Sequence, residues 1–71
     1  MDVRVGELHT LMQFDLGQTR DCEIIFIYKE NPDDKTQDII LYRYFGENLP
    51  AWFYKAHRRF EVETQIKRAV S

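Results

Sequence analysis

Two stretches of sequence decide the fold of this chain: Cys22-Glu-Ile-Ile-Phe-Ile-Tyr-Lys29 and Asp38-Ile-Ile-Leu-Tyr-Arg-Tyr-Phe45. Both are rich in the β-branched and aromatic residues that favour β-strands. The polar segment between them, residues 30–37, contains Asn31, Pro32 and two aspartates, which are residues typical of turns. The sequence therefore predicts an antiparallel β-hairpin over residues 22–45.

The register of this hairpin follows from placing Lys29 opposite Asp38, so that opposite charges face each other. One face then pairs Tyr28 with Ile39, Phe26 with Leu41, Ile24 with Arg43 and Cys22 with Phe45. The other face pairs Ile27 with Ile40, Ile25 with Tyr42 and Glu23 with Tyr44. Because neither face is polar, we expect both faces of the hairpin to be covered in the working protein.

The segment before the hairpin, residues 8–16, fits two periodicities. Counted with period two, one face takes Leu8, Thr10, Met12, Phe14 and Leu16. Counted with period 3.6, an apolar helical stripe also forms, but it leaves out Phe14. We prefer the strand because it accounts for Phe14, and the helix stays open as the alternative.

After the hairpin, a helix is predicted to begin at about residue 49. Asn48 can cap it, and Pro50 is tolerated in the first turn because the amide that proline lacks would have no acceptor within the helix. The apolar stripe of this helix takes Leu49, Trp52, Phe53, Ala56 and Phe60. We expect Trp52, Phe53 and Phe60 to pack it on one face of the sheet. Residues 60–70 fit either a continued helix, which we prefer because residues 65–70 are mostly good helix formers, or a further strand.

These elements predict an α+β fold with a single domain over residues 1–71. Its architecture is a three-stranded antiparallel β-meander, residues 8–16, 22–29 and 38–45, with a C-terminal α-helix packed on one face, in the order βββα. The strand at 22–29 would lie in the centre, which suits its apolar character on both sides.

The composition narrows the class of protein. The 71 residues are 44% apolar, which argues against disorder. One cysteine excludes an internal disulfide framework, and together with two histidines it falls short of a structural zinc site, so we expect no metal and no cofactor. A reducing, cytoplasmic compartment is predicted. The sequence contains no long apolar run for a membrane span and no start typical of a signal peptide.

Charge is distributed unevenly along the chain. Residues 1–38 hold nine acids and four bases, a balance of −5, whereas residues 39–71 hold six bases and three acids, a balance of +3. Such an asymmetry can steer partners, or it can pair two copies of a chain across a two-fold axis. The plainer interpretation is a solvated surface.

The side chains available for catalysis are few. A Cys–His nucleophile needs a thiolate and a base within hydrogen-bond reach, and the candidates are Cys22, His9 and His57. Cys22 opens a predicted central strand, where a free cysteine usually packs as an apolar residue. No phosphate-binding glycine loop, HExxH motif or nucleophile elbow is present. We therefore do not expect an enzyme.

The function predicted from these observations is a non-enzymatic protein–protein interaction module, such as a small regulator, inhibitor or accessory subunit. The helix can cover one face of the sheet, which leaves an apolar patch for a partner protein or for a second copy in a homodimer. The residues assigned to this patch are Ile25, Ile27, Ile40, Tyr42 and Tyr44.

The alternative is a nucleic-acid-binding module. Its basic C-terminal helix would contact phosphates through Lys55, Arg58, Arg59, Lys67 and Arg68. Bases could stack on Phe26, Tyr28, Tyr42 and Tyr44. The isoelectric point of about 5.6 and the spread of the five cations around a helix argue against this alternative.

Overall fold

The computed structural model describes residues 2–14, 17–45, 50 and 54–70. Within these ranges, four antiparallel strands form one sheet in the order β1-β2-β3-β4, and a helix follows the last strand. The elements are β1 (Leu8–Met12), β2 (Thr19–Tyr28), a short 3-10 helix (Lys35–Gln37), β3 (Ile39–Tyr44), β4 (Lys55–Arg58) and α1 (Arg59–Val70). The α+β class and the antiparallel sheet with its C-terminal helix are confirmed, whereas the prediction of three strands is wrong.

The fourth strand lies where the predicted helix should be. β4 pairs with β3, with Lys55 opposite Tyr42 and Arg58 opposite Ile39. This pairing satisfies backbone groups of β3 that would otherwise lie at a sheet edge, and it outweighs the helical spacing of the apolar residues. The predicted cap Asn48 and the predicted packing residues Trp52 and Phe53 lie outside the described residues.

The helix begins at Arg59 because two acceptors satisfy the amides at its start. The Arg59 N–H donates to the Asp38 carbonyl at 2.7 Å, and the Arg58 N–H donates to the Glu61 carboxylate at 3.0 Å. The second bond is that of a capping box, in which an acidic residue three positions on reaches back to the cap. The preference for a helix over residues 60–70 is confirmed.

The buried stripe of α1 differs from the predicted one. Arg59, Val62 and Ile66 are buried, at spacings of three and four. Phe60, which was expected to pack on the sheet, is 49% exposed. Because the helix starts ten residues later than predicted, a different set of residues, still spaced by three and four, faces the sheet.

The strand prediction for residues 8–16 is confirmed for Leu8–Met12. Phe14 follows in a turn, and Asp15 and Leu16 lie outside the described residues. Gly17 has a φ of +66°, a left-handed conformation that suits glycine, and its N–H donates to the Gln13 carbonyl. β2 begins at Thr19, earlier than predicted.

The predicted hairpin register is correct next to the turn but is shifted by one residue farther along the strands. The structure pairs Tyr28 with Ile39, Ile27 with Ile40 and Phe26 with Leu41, as predicted. A β-bulge at Ile25 then inserts one residue into β2. Beyond it the pairs are Ile24 with Tyr42, Glu23 with Arg43 and Cys22 with Tyr44, each one residue away from the prediction.

The bulge decides which residues share a face of the sheet. α1 covers one face, which we call the inner face, and we call the opposite one the outer face. The core between α1 and the inner face contains Val3, Leu11, Cys22, Ile24, Ile40, Tyr42, Val62 and Ile66, with Phe14, Ile27 and Tyr44 packed against it. Each large side chain buried here contributes roughly 1.5–3 kcal/mol. The predicted burial of Cys22 is confirmed.

Candidate protein-interaction surface

The residues predicted to form an exposed apolar patch lie mostly on the inner face. Ile40 and Tyr42 are 0% exposed, and Ile27 and Tyr44 pack against the same core. Ile25 is half-buried at the bulge. The prediction that these five residues form the exposed face is therefore wrong, because α1 covers that side of the sheet. What they contribute is packing.

The apolar surface that stays exposed lies on the outer face. Phe26 and Tyr28 are 54% and 55% exposed on β2. Their partners on β3 are Leu41 and Ile39, which are half-buried. These four side chains form two adjacent cross-strand pairs, and we call them the outer block. The sequence placed them on one face, as found, but assigned that face to the core.

Two ion pairs border the outer block. On one side, Arg43 donates to Glu23 through Nε at 3.1 Å and Nη2 at 2.9 Å. On the other side, Arg58 lies opposite Ile39 and forms an ion pair with Glu30 at 3.1 Å. The arrangement is an apolar centre inside a rim of paired charges, which is the usual anatomy of a protein–protein interface.

A second apolar area lies beyond the Glu23–Arg43 pair. Leu8 is 65% exposed and Phe45 is 42% exposed, and they flank a concave region of about 420 Å³. Between them the Thr10 hydroxyl donates to the Asp21 carboxylate at 2.7 Å. The outer face is therefore apolar at both ends of β2, with the polar side chains bonded to one another.

The five cations predicted to contact nucleic acid do not form one surface. Lys55 and Arg58 project from opposite faces of β4, and Arg59 is buried at 5% exposure. Lys67 and Arg68 lie in the last turn of α1. The structure divides the predicted set between a sheet edge, the core and the far end of a helix.

Arg59 is used to hold the fold together. Its Nε and Nη2 contact the Asp38 carboxylate at 3.1 Å, and its Nη1 donates to the Val3 carbonyl at 2.8 Å. Glu63 and Asp2 accept further bonds at 3.2 and 3.4 Å. Asp38 is itself 1% exposed and also contacts Lys29 at 3.3 Å, the charge pair that was predicted. This network joins β3, α1 and the N-terminal segment.

Ion pairs within the molecule join the acidic half of the chain to its basic half. Acids of the N-terminal half pair with bases of the C-terminal half at Glu23 with Arg43, Glu30 with Arg58, and Asp38 with Arg59. Internal pairing of this kind leaves fewer uncompensated charges to steer a partner than the sequence suggests.

The candidate nucleophile lies in an environment that disfavours a thiolate. Cys22 is 0% exposed, and burial raises the pKa of its thiol to about 11. His9 lies opposite Cys22 on β1, but its Nε2 is 2.9 Å from the Glu7 carboxylate. Among the described residues, no hydrogen bond joins the Cys22 thiol to the His9 ring.

His57 is a packing residue of β4. Its Nδ1 lies 2.9 Å from the Tyr42 hydroxyl, and its ring stacks on Phe14 with centroids 3.8 Å apart. Burial lowers its pKa below the ordinary value. The helix prediction did not place this side chain on the inner face. The sequence pattern that indicates its direction is the alternation of a strand, in which Lys55 and His57 lie on one face and Ala56 and Arg58 on the other.

In the part of the chain that the structure describes, no cluster of three or more His, Cys, Asp or Glu side chains could hold a metal ion. No helix in the same ranges has the length and apolar character needed to cross a membrane. Comparisons with protein-family models, with curated proteins and with solved structures find no match to this chain.

Proposed function

We propose that this chain is a non-enzymatic protein–protein interaction module, a small regulator, inhibitor or accessory subunit, which binds a partner protein through the outer block. One observation carries the proposal: Phe26 and Tyr28 are each more than half exposed on an apolar sheet face, while α1 packs on the opposite face. A sheet that is apolar on both sides is normally covered on both sides.

The exposed apolar area of the outer face is of the size found in ordinary protein–protein interfaces. Aromatic side chains bury roughly 150–250 Å² each, so two that are half exposed present on the order of 200 Å² together. Ile39, Leu41, Leu8 and Phe45 add to this area. A specific interface buries about 800 Å² per partner, of which a little over half is apolar. The outer face therefore has an apolar centre whose area is of the right order, and its ion pairs form a rim beside that centre.

Protein fits this surface better than nucleic acid does. The two exposed aromatic rings could stack on bases, but a nucleic-acid surface also needs cations available for phosphates. The cations next to the outer block, Arg43 and Arg58, are paired with Glu23 and Glu30. Binding of DNA or RNA through the five predicted cations therefore stays the less supported alternative.

The proposed place of action is the cytoplasm. Cys22 is a free, buried thiol, which is compatible with a reducing compartment and offers no stabilising cross-link for an oxidising one. The proposed partner is another protein, in a hetero-complex or as a second copy of the chain.

The test compares two exposed phenylalanines. Phe26 lies in the outer block at 54% exposure, and Phe60 lies on α1 at 49% exposure. We expect Phe26→Lys to abolish capture of the partner protein from host extract, because a charge would be buried at the centre of the interface. Phe60→Lys should bind like the wild type. Circular dichroism should show both variants folded.

Equal capture by both variants would contradict the proposal. Retention of nucleic acid instead, falling steeply as salt rises and lost in Lys67→Glu/Arg68→Glu, would favour the alternative.

A further inference from the structure

Within the described residues, β1 lies at one edge of the sheet, and some of its backbone groups point away from β2. The Gln13 N–H donates to the Gln18 carbonyl at 2.8 Å, and the Glu7 carbonyl accepts from the Ile24 N–H at 3.0 Å. Because the ladder of an antiparallel pair alternates, the residues between Glu7 and Gln13 that face β2 are the odd-numbered ones. The N–H and C=O groups of Leu8, Thr10 and Met12 therefore point away from the sheet, and no partner for them is found in the described ranges.

Three of the features that normally prevent strand addition are missing from this edge, although α1 packs against β1 on the inner face. Edge strands are usually protected by charged side chains, proline, a bulge or short length. The other edge strand, β4, has only four residues and carries Lys55, His57 and Arg58. β1 is Leu-His-Thr-Leu-Met over Leu8–Met12, with no charged residue of fixed sign, no proline and no bulge, and Leu8 is 65% exposed.

We propose that β1 pairs antiparallel with β1 of a second copy of this chain, about a two-fold axis at Thr10. In this register Leu8 lies opposite Met12 of the second copy on the outer face, and Thr10 lies opposite its own equivalent. Every outward N–H then finds an outward C=O, Leu8 meets Met12, His9 meets Leu11 on the inner face, and no like charges face each other. The two sheets become one, with both outer blocks on the same side.

A second copy fits better than an unrelated extended peptide because the strand is complementary to itself in this register. The same axis that pairs all outward backbone groups also brings Leu8 and Met12 together twice, once on each side of Thr10. This interface goes beyond the proposed function, because it uses the edge of the sheet and leaves Phe26 and Tyr28 exposed for the partner.

Proline substitution tests the backbone pairing directly. Thr10→Pro removes an N–H that points away from β2, so it leaves the β1–β2 ladder intact, as proline does on edge strands. Thr10→Val is the matched control, since it also loses the hydroxyl that bonds Asp21 but keeps the N–H. By sedimentation at concentrations up to the millimolar range, we expect the wild type and Thr10→Val to dimerise. Thr10→Pro should weaken association roughly tenfold or more, because two hydrogen bonds are lost per dimer.

Paired charges test the register and do not depend on the proline variant. Leu8→Lys/Met12→Lys places like charges opposite each other at both ends of the strand pair and should be monomeric. Leu8→Lys/Met12→Glu changes the same two positions but places Lys opposite Glu, and it should dimerise. A wild type that stays monomeric at millimolar concentration would overturn the proposal. So would charge variants that associate to the same extent, or a Thr10→Pro chain that is folded and dimerises like Thr10→Val.

Discussion

At the scale of single residues, Arg58 and Arg59 show how adjacent side chains of one type can have opposite roles. Arg58 lies on the outer face in an ion pair with Glu30, whereas Arg59 is buried and bonded to Asp38, Glu63 and the backbone of the N-terminal segment. Surface pairs contribute little to stability, but removing one partner of a buried pair leaves an uncompensated charge.

We therefore expect Arg59→Met to lower the free energy of unfolding by about 3–5 kcal/mol, a large part of the stability of a domain of this size. Arg58→Met is the control and should lower it by about 1 kcal/mol or less. Urea denaturation followed by circular dichroism measures both. Similar losses in the two variants would mean that the network around Arg59 does not hold the fold together.

His57 links stability to pH. Burial lowers the pKa of its ring in the folded state below the ordinary value near 6.5, with the Glu61 charge opposing this shift and the Lys55 charge adding to it. Between the lowered pKa and 6.5, the unfolded chain binds more protons than the folded chain, so stability falls as the pH falls through this window. Above 6.5 the contribution of His57 is fully present.

We expect the wild type to lose more stability than His57→Gln when the pH is lowered from about 7 to about 5. Denaturation at the two pH values gives the difference, and His9, which both chains contain, cancels in the comparison. A larger loss in His57→Gln would contradict the assigned direction of the pKa shift.

At the scale of elements, the bulge at Ile25 and strand β4 are the features that the sequence did not predict. The hairpin, its register beside the turn and the helix over residues 60–70 follow from composition and periodicity. The bulge does not, because one extra residue within the apolar run at residues 24–28 leaves no pattern in the sequence. It nevertheless exchanges the two faces of the strand for all residues that precede it. β4 is missed because Lys-Ala-His-Arg becomes a strand through its pairing with β3 and not through its own propensity.

The face assignment can be tested with two tyrosines. Tyr42 is fully buried on the inner face, and Tyr28 is 55% exposed on the outer face. Tyr42→Ala should lower the free energy of unfolding by about 3–5 kcal/mol, as for loss of a large core side chain. Tyr28→Ala should lower it by about 1 kcal/mol or less, as for a surface position. If thermal denaturation reversed this order, Tyr42 would lie on the exposed face, as the sequence predicted.

At the scale of the whole molecule, two surfaces of different kinds adjoin each other. The outer block offers apolar side chains inside a rim of paired charges, and the edge of β1 offers backbone groups, beside Leu8, that have no partner in the part of the chain that the structure describes. The outer block could not be assigned from the sequence, because it depends on which face α1 covers, whereas the edge position of β1 follows from the predicted meander. Dimerisation through β1 would place two outer blocks on one face and raise avidity for a partner that carries two matching sites.

The central claim is that a partner protein lies on the outer block. The most direct measurement replaces either Phe26 or Phe60 with a photoreactive phenylalanine derivative, irradiates each protein in host extract, and identifies what becomes cross-linked. These positions are similarly exposed, so a difference between their cross-linked products reports where the partner binds and not non-specific binding to exposed apolar residues. We predict one discrete cross-linked protein from position 26 and none above background from position 60. The same products from both positions, or a discrete product from position 60 alone, would contradict the claim.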